Sequence, residues 1–108
     1  MADMGKMANY QDYAKVAKEV EDIDIGMLVL NAGAMLMGDF KLLTPEEIES
    51  QVNLNGLHPI YLAKALLPQM LSRAKRSSII VTSSGLGTVA IPGVLTYSMC
   101  KSFVSFLA

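Results

Sequence analysis

Apolar residues recur along this chain with two different spacings, and each change of spacing marks a new element. Tyr13, Val16, Ala17 and Val20 repeat at helical intervals with Lys15, Lys18 and Glu19 opposite them, which predicts a helix over residues 10–21. Residues 25–30, Ile-Gly-Met-Leu-Val-Leu, form a continuous apolar run, the pattern of a strand covered on both faces, and Asn31-Ala32-Gly33 stops it. A loop then leads to Thr44-Pro45-Glu46-Glu47, a strong helix start. Thr44 serves as N-cap, proline occupies the first turn, and a glutamate three residues on closes a capping box. That helix is predicted to reach about Lys75, with Ile48, Val52, Leu62, Leu66, Leu67 and Met70 facing a core. Pro59 and Pro68 lie inside it, and each must bend or interrupt it. Pro59 has no N–H to give the carbonyl of Asn55, so a backbone acceptor near Asn53 and Asn55 loses its helical partner. The β-branched stretch 77–83 predicts a second buried strand. A loop with Gly85, Gly87, Pro92 and Gly93 follows, and a last helix is predicted from about Thr96 to Ala108.

Strands alternating with helices imply right-handed crossovers and a parallel sheet, so the fold class is α/β, part of a doubly wound Rossmann arrangement. Two strands alone make no stable parallel sheet, and a doubly wound domain needs several more. Composition points the same way. With 52% hydrophobic residues, 18% charged residues and eight methionines, the surface is too apolar for a free-standing domain of 108 residues. The expectation is therefore that residues 1–108 are the central part of a single domain, truncated at both ends.

Charge and cysteine content then narrow the function. A net charge of −1 leaves no electrostatic footprint for nucleic acid or an anionic membrane. One cysteine, Cys100, makes no internal disulfide, and no His/Cys cluster is spaced to hold a metal. The longest nearly apolar stretch, residues 25–38, is too short to span a bilayer, and no secretory leader is visible.

The chemistry concentrates near the end of the chain. Tyr97 and Lys101 stand at i and i+4 on one face of the last helix. A cation held beside a phenol makes it a stronger acid, able to protonate a carbonyl oxygen or to take the proton back. Ser84, thirteen residues before Tyr97, closes the second strand, so its hydroxyl meets the phenol at the carboxyl edge of the sheet, where α/β proteins place ligands. There it can hold a carbonyl and the charge that develops on it, with Ser83 as a neighbouring rival. His58 reads as a residue of the helix kink, Cys100 as a small buried hydrophobe, and residues 19–24 as an acidic, solvated helix end. Arg73, Lys75 and Arg76 suit the end of the long helix through its dipole.

Asn31-Ala32-Gly33, Asn53 in Val52-Asn53-Leu54-Asn55-Gly56, Ser84 and Tyr97-x-x-x-Lys101 stand in the order and spacing of the short-chain dehydrogenase/reductase family. The chain resembles that family along essentially its whole length, and looks most like the branch of 17β-hydroxysteroid dehydrogenases and very-long-chain 3-oxoacyl-CoA reductases. The resemblance implies an NAD(P)-dependent oxidoreductase that interconverts a hydroxyl and a carbonyl on a lipid-like steroid or acyl substrate. It casts Tyr97 as acid/base, and Lys101 as the group that acidifies Tyr97 and grips the nicotinamide ribose. Ser84 orients the carbonyl, and the Asn53 backbone carbonyl holds a water linked to Lys101. Asn31, Ala32 and Gly33 wall the adenine side of the cofactor and steady the sheet, and Asp3 touches adenine. Leu30 departs from the family's common Asn-Asn-Ala-Gly. The glycine-rich turn that cradles the pyrophosphate of NADP or NAD lies outside this sequence, so the 108 residues alone are expected to be inactive. The expected partner is a small hydroxyl or carbonyl substrate, with a homodimer possible for the parent and a cytoplasmic or endoplasmic reticulum-associated location. Two other readings stand beside this one: a truncated, non-catalytic remnant that associates with a full-length relative, and a sugar-nucleotide epimerase, which shares the Tyr/Lys pair.

Overall fold

A computed structural model describes residues 3–107. Four α-helices accompany two short strands: α1 (Tyr10–Glu19), β1 (Met27–Leu30), α2 (Pro45–Val52), α3 (His58–Leu71), β2 (Ser78–Val81) and α4 (Leu95–Val104). Tight 3-10 turns occupy Phe40–Leu42 and Gly85–Gly87. The strands pair in parallel, Met27 opposite Ser78 and Leu30 opposite Val81, so both end at the same edge of the sheet.

The α2 start is as the sequence predicts. The Thr44 Oγ1 accepts the Glu47 N–H at 3.2 Å, while the Glu47 carboxylate accepts the Thr44 N–H at 2.8 Å. Pro59 does not break the helix. It is accommodated by a π-helical turn over Asn53–Leu57, in which the His58 N–H reaches back to the Asn53 carbonyl. One extra residue in the turn lets the helix continue past a position that cannot donate. The long helix stops at Leu71 rather than near Lys75. There the Ser72 hydroxyl donates to the Gln69 carbonyl, and Arg73 turns away to pair with both carboxylate oxygens of Asp24 through its Nε and Nη2. Arg73 also caps the Arg76 carbonyl at 2.8 Å. Its charge therefore serves a bond across the fold rather than the helix dipole, and the acidic segment after α1 is tied down rather than simply solvated. Gln69 completes that tie by donating to the Val20 and Ile23 carbonyls.

The helices cover one face of the sheet. Leu30, Leu66, Met70, Val104 and the fully buried Tyr13 make the core beneath it. Along β1, Leu28 and Leu30 turn inward, whereas Met27 and Val29 stay 60% and 54% exposed. That open apolar face is the one a doubly wound sheet covers with its second layer of helices. Among the described residues no helix is long and apolar enough to cross a membrane, and no group of His, Cys, Asp and Glu could hold a metal ion.

Candidate active site

Everything of chemical interest gathers where the two strands end. The Thr82 hydroxyl bonds the Asn31 side chain at 2.8 Å and the Thr82 N–H donates to the Leu30 carbonyl at 3.0 Å, which locks the strand ends side by side. Asn31 therefore steadies the sheet. From α4, Lys101 reaches the same edge and donates to the Thr82 carbonyl at 2.8 Å. Its side chain is buried, which lowers its pKa from the usual lysine value, and the nearby Cys100 thiol offsets part of that shift. Among the described residues no carboxylate pairs with it, so its charge is not neutralised in place. The ammonium lies 5.6 Å from the centre of the Tyr97 ring, within cation–π reach.

A bare backbone brings α4 this close. A methyl group on Gly87 would lie 2.8 Å from the Lys101 carbonyl carbon and 2.8 Å from the Ser102 nitrogen, so the 85–87 turn rests directly on the helix backbone. The two serines beside this turn differ in what they bond. Ser83 donates to the Lys101 carbonyl at 3.0 Å and shares a 2.6 Å bond with Ser105, so it is committed to holding α4. Ser84 only accepts, from the Leu86 N–H at 3.2 Å, and its O–H proton is uncommitted among the described residues.

The asparagine that joins this cluster is Asn55, not Asn53. Asn55 is fully buried on the π-helical turn, and its carboxamide clamps the backbone of Ala34, accepting from its N–H at 3.1 Å and donating to its carbonyl at 2.9 Å. It also donates to the Gln51 carbonyl at 3.0 Å, while the Gln51 side chain accepts the Leu36 N–H at 3.3 Å. A methyl group on Gly33 would meet the Asn55 Oδ1 at 2.9 Å and the Lys101 Nζ at 3.4 Å. Gly33, Asn55 and Lys101 thus converge on one point that only glycine leaves open. Asn53 points elsewhere, its Nδ2 lying 3.5 Å from the Gly5 carbonyl, and its own carbonyl is taken by the π turn. A sequence signal for Asn55 exists: it stands four residues before Pro59, so it is the residue whose carbonyl loses an α-helical donor. Gln51 and Gly87 carry no such local signal.

Two residues complete the surroundings. Cys100 is buried, with its thiol raised in pKa by burial and directed at the Gln51 carbonyl at 3.8 Å. His58 is buried against the Tyr13 ring, 6.0 Å between centroids, and its Nδ1 has no hydrogen-bond partner among the described residues. Burial, and secondarily the Lys101 charge, lower its pKa below the ordinary 6.5. The folded protein resists protonation there while the unfolded chain accepts it. Stability is accordingly expected to be full above about pH 6.5 and to drain away as the pH falls below it. Urea midpoints at pH 7 and pH 5 should differ less for His58→Gln than for the unsubstituted protein.

Asp3 lies on the exposed loop before α1, where its carboxylate accepts the Gly5 N–H at 3.2 Å. The group that the family resemblance implies for this site is a dinucleotide. The fit is supported by a cation with no carboxylate partner among the described residues, held on the Thr82 carbonyl and drawn in close beside Gly33 and Asn55.

Comparison with known proteins agrees. The family model described as short chain dehydrogenase matches residues 1–108. A very-long-chain 3-oxoacyl-CoA reductase from Podospora anserina is 32% identical over 98 residues, covering 89% of this chain and 28% of its own length. The 17-beta-hydroxysteroid dehydrogenase 13 of Rattus norvegicus is 37% identical over 92 residues, covering 85% of this chain and 30% of its own. Among solved structures, a short-chain dehydrogenase from Sphingobium yanoikuyae in complex with NADPH superposes with a TM-score of 0.81 at 31% identity, over 98% of this chain and 41% of that one.

Proposed function

The chain belongs to the short-chain dehydrogenase family, and from that premise we propose that it is the acid–base segment of an NAD(P)-dependent oxidoreductase that interconverts a hydroxyl and a carbonyl. It spans about 30% of the length of the reductase and steroid dehydrogenase it matches. Residues 1–108 are read as the central part of one dinucleotide-binding domain. The observation that carries the proposal is the meeting of Lys101, Asn55 and Gly33 at the strand ends, beside Tyr97 on the same helix.

Asn31, Ala32 and Gly33 would wall the adenine side of the dinucleotide, Lys101 would donate to its ribose, and Asp3 would meet the adenine. When bound, the nicotinamide supplies or accepts the hydride. Tyr97 gives its proton to the substrate oxygen in reduction and takes it back in oxidation. Lys101, close and unneutralised, stabilises the negative charge left on the phenol. Ser84 donates its free O–H to the substrate oxygen and holds it in line with Tyr97. Asn55 keeps the 33–34 backbone in register with Lys101, and Pro59 has no N–H to give its carbonyl, which would leave that carbonyl to a water linked to Lys101. Asn55 thus takes the role that the family resemblance gives to Asn53. A lipid-like acyl or steroid ketone is the substrate class we favour, because the Podospora and rat relatives carry those activities in their names.

The test uses these residues within a complete dehydrogenase, either a longer native protein or this chain joined to the segments that flank the matched span in the Podospora reductase. NAD(P)H absorbance should fall on addition of a 3-oxoacyl or 17-keto substrate. The uncovered face of β1, with Met27 and Val29 exposed, favours a second reading, a non-catalytic chain that associates with a relative. In that case the complete enzyme would bind no cofactor through Lys101, and replacing Lys101 by methionine would leave cofactor affinity unchanged.

A further inference from the structure

We propose that Asn53 is a positioning residue for the adenine end of the cofactor, an inference that rests on the oxidoreductase reading above. Its side chain leaves the π-helical turn and reaches the carbonyl of Gly5, 3.5 Å away, on the loop that carries Asp3. That loop is pressed closely against the end of α2: a methyl group on Gly5 would lie 3.1 Å from the Ser50 Oγ. Gly5 in turn presents its N–H to the Asp3 carboxylate at 3.2 Å, and the Lys6 N–H closes the turn on the Asp3 carbonyl at 3.1 Å. Tyr13 holds the far end of the loop, donating from its buried hydroxyl to the Met7 carbonyl at 3.3 Å. Two donors from packed helices therefore fix the loop on either side of Lys6, and the one nearer Asp3 is Asn53.

This arrangement gives a single turn of helix two tasks. Asn55 fixes Ala34, next to the Lys101 end of the site, and Asn53, two residues earlier, fixes Gly5, next to Asp3. The Asp3 carboxylate is exposed and keeps lone pairs beyond the one given to Gly5, as needed to accept from the exocyclic amine of adenine. Its ion pair with Lys6, 3.6 Å apart and exposed, is too weakly held to fix its direction. The direction comes from the Gly5 N–H, and the next peptide, Gly5–Lys6, is held through its carbonyl by Asn53. Asn53 acts through the loop and touches neither substrate nor nicotinamide.

The consequence is confined to ligands that carry adenine. In the complete dehydrogenase, Asn53→Ala should raise the equilibrium Kd for 5′-AMP, measured by calorimetry, about threefold to tenfold, the worth of one hydrogen bond. The Kd for reduced nicotinamide mononucleotide, which has no adenine, should stay the same. In turnover the loss should fall on KM for NAD(P)H rather than on kcat. Asn53→Gln, whose amide extends one carbon farther, should restore AMP affinity. Equal loss for AMP and the mononucleotide, or no loss for either, overturns the inference. So does failure of the unsubstituted enzyme to bind AMP. Failure of the unsubstituted enzyme to oxidise NAD(P)H with any ketone is a different result, and it removes the oxidoreductase reading itself.

Discussion

Replacing Tyr97 by phenylalanine in the complete dehydrogenase is expected to lower kcat for ketone reduction by about 10²- to 10⁴-fold, the range of a lost general acid. Phenylalanine keeps the ring that the Lys101 ammonium faces at 5.6 Å, so the lysine stays in place on the Thr82 carbonyl. The ring is half-buried, and among the described residues its hydroxyl holds up no other part of the fold. The variant should therefore unfold at the same urea concentration and bind NAD(P)H as before. A loss in kcat with both of these preserved belongs to the O–H group alone. Retention of more than about a tenth of the activity would mean that another group delivers the proton.

The second large effect is structural. Gly87→Ala should lower stability by about 1–3 kcal/mol, because the new methyl meets backbone atoms of Lys101 and Ser102 at 2.8 Å and neither can step aside without moving α4. Lys101 and Tyr97 ride on that helix, so activity should fall with stability. At Gly85, two residues earlier on the same turn, an added methyl would meet nothing within 4 Å, and Gly85→Ala should be close to neutral. Urea midpoints of the two variants side by side isolate backbone contact from the loss of a flexible residue, since both substitutions make the same chemical change. Equal midpoints would mean that α4 does not rest on the 85–87 turn.

How far the sequence can be read depends on whether each feature is local. The Thr44–Glu47 capping box is settled within four residues, and the structure reproduces both of its bonds. The parallel pairing of the strands follows from their apolar runs and the intervening helix. The Pro59 irregularity is visible in the sequence, but its form is not. Whether a helix breaks or widens into a π turn depends on what holds it on both sides, here Ala34 and α4. The same limit explains why Asn55 rather than Asn53 packs against the 31–34 loop. Both are asparagines on one turn, and only the packing of the 31–34 loop decides which is buried. Ser83 and Ser84 are likewise neighbours of identical chemistry, separated only by the contact of Ser83 with the carbonyl of Lys101 and with Ser105. Arg73 has the charge and the place to answer the helix dipole, yet its partner Asp24 lies 49 positions away.

If the proposed function holds, hydride and proton reach one carbonyl at this site. The direct measurement is to supply the complete dehydrogenase with NAD(P)D deuterated at the transferable position of the nicotinamide and a 3-oxoacyl ketone, and to analyse the alcohol by mass spectrometry. One deuterium bound to the carbinol carbon, lost when Tyr97→Phe is used under the same conditions, is the predicted result. Alcohol formed at an undiminished rate by Tyr97→Phe, or no deuterium in the product of the unsubstituted enzyme, would contradict it.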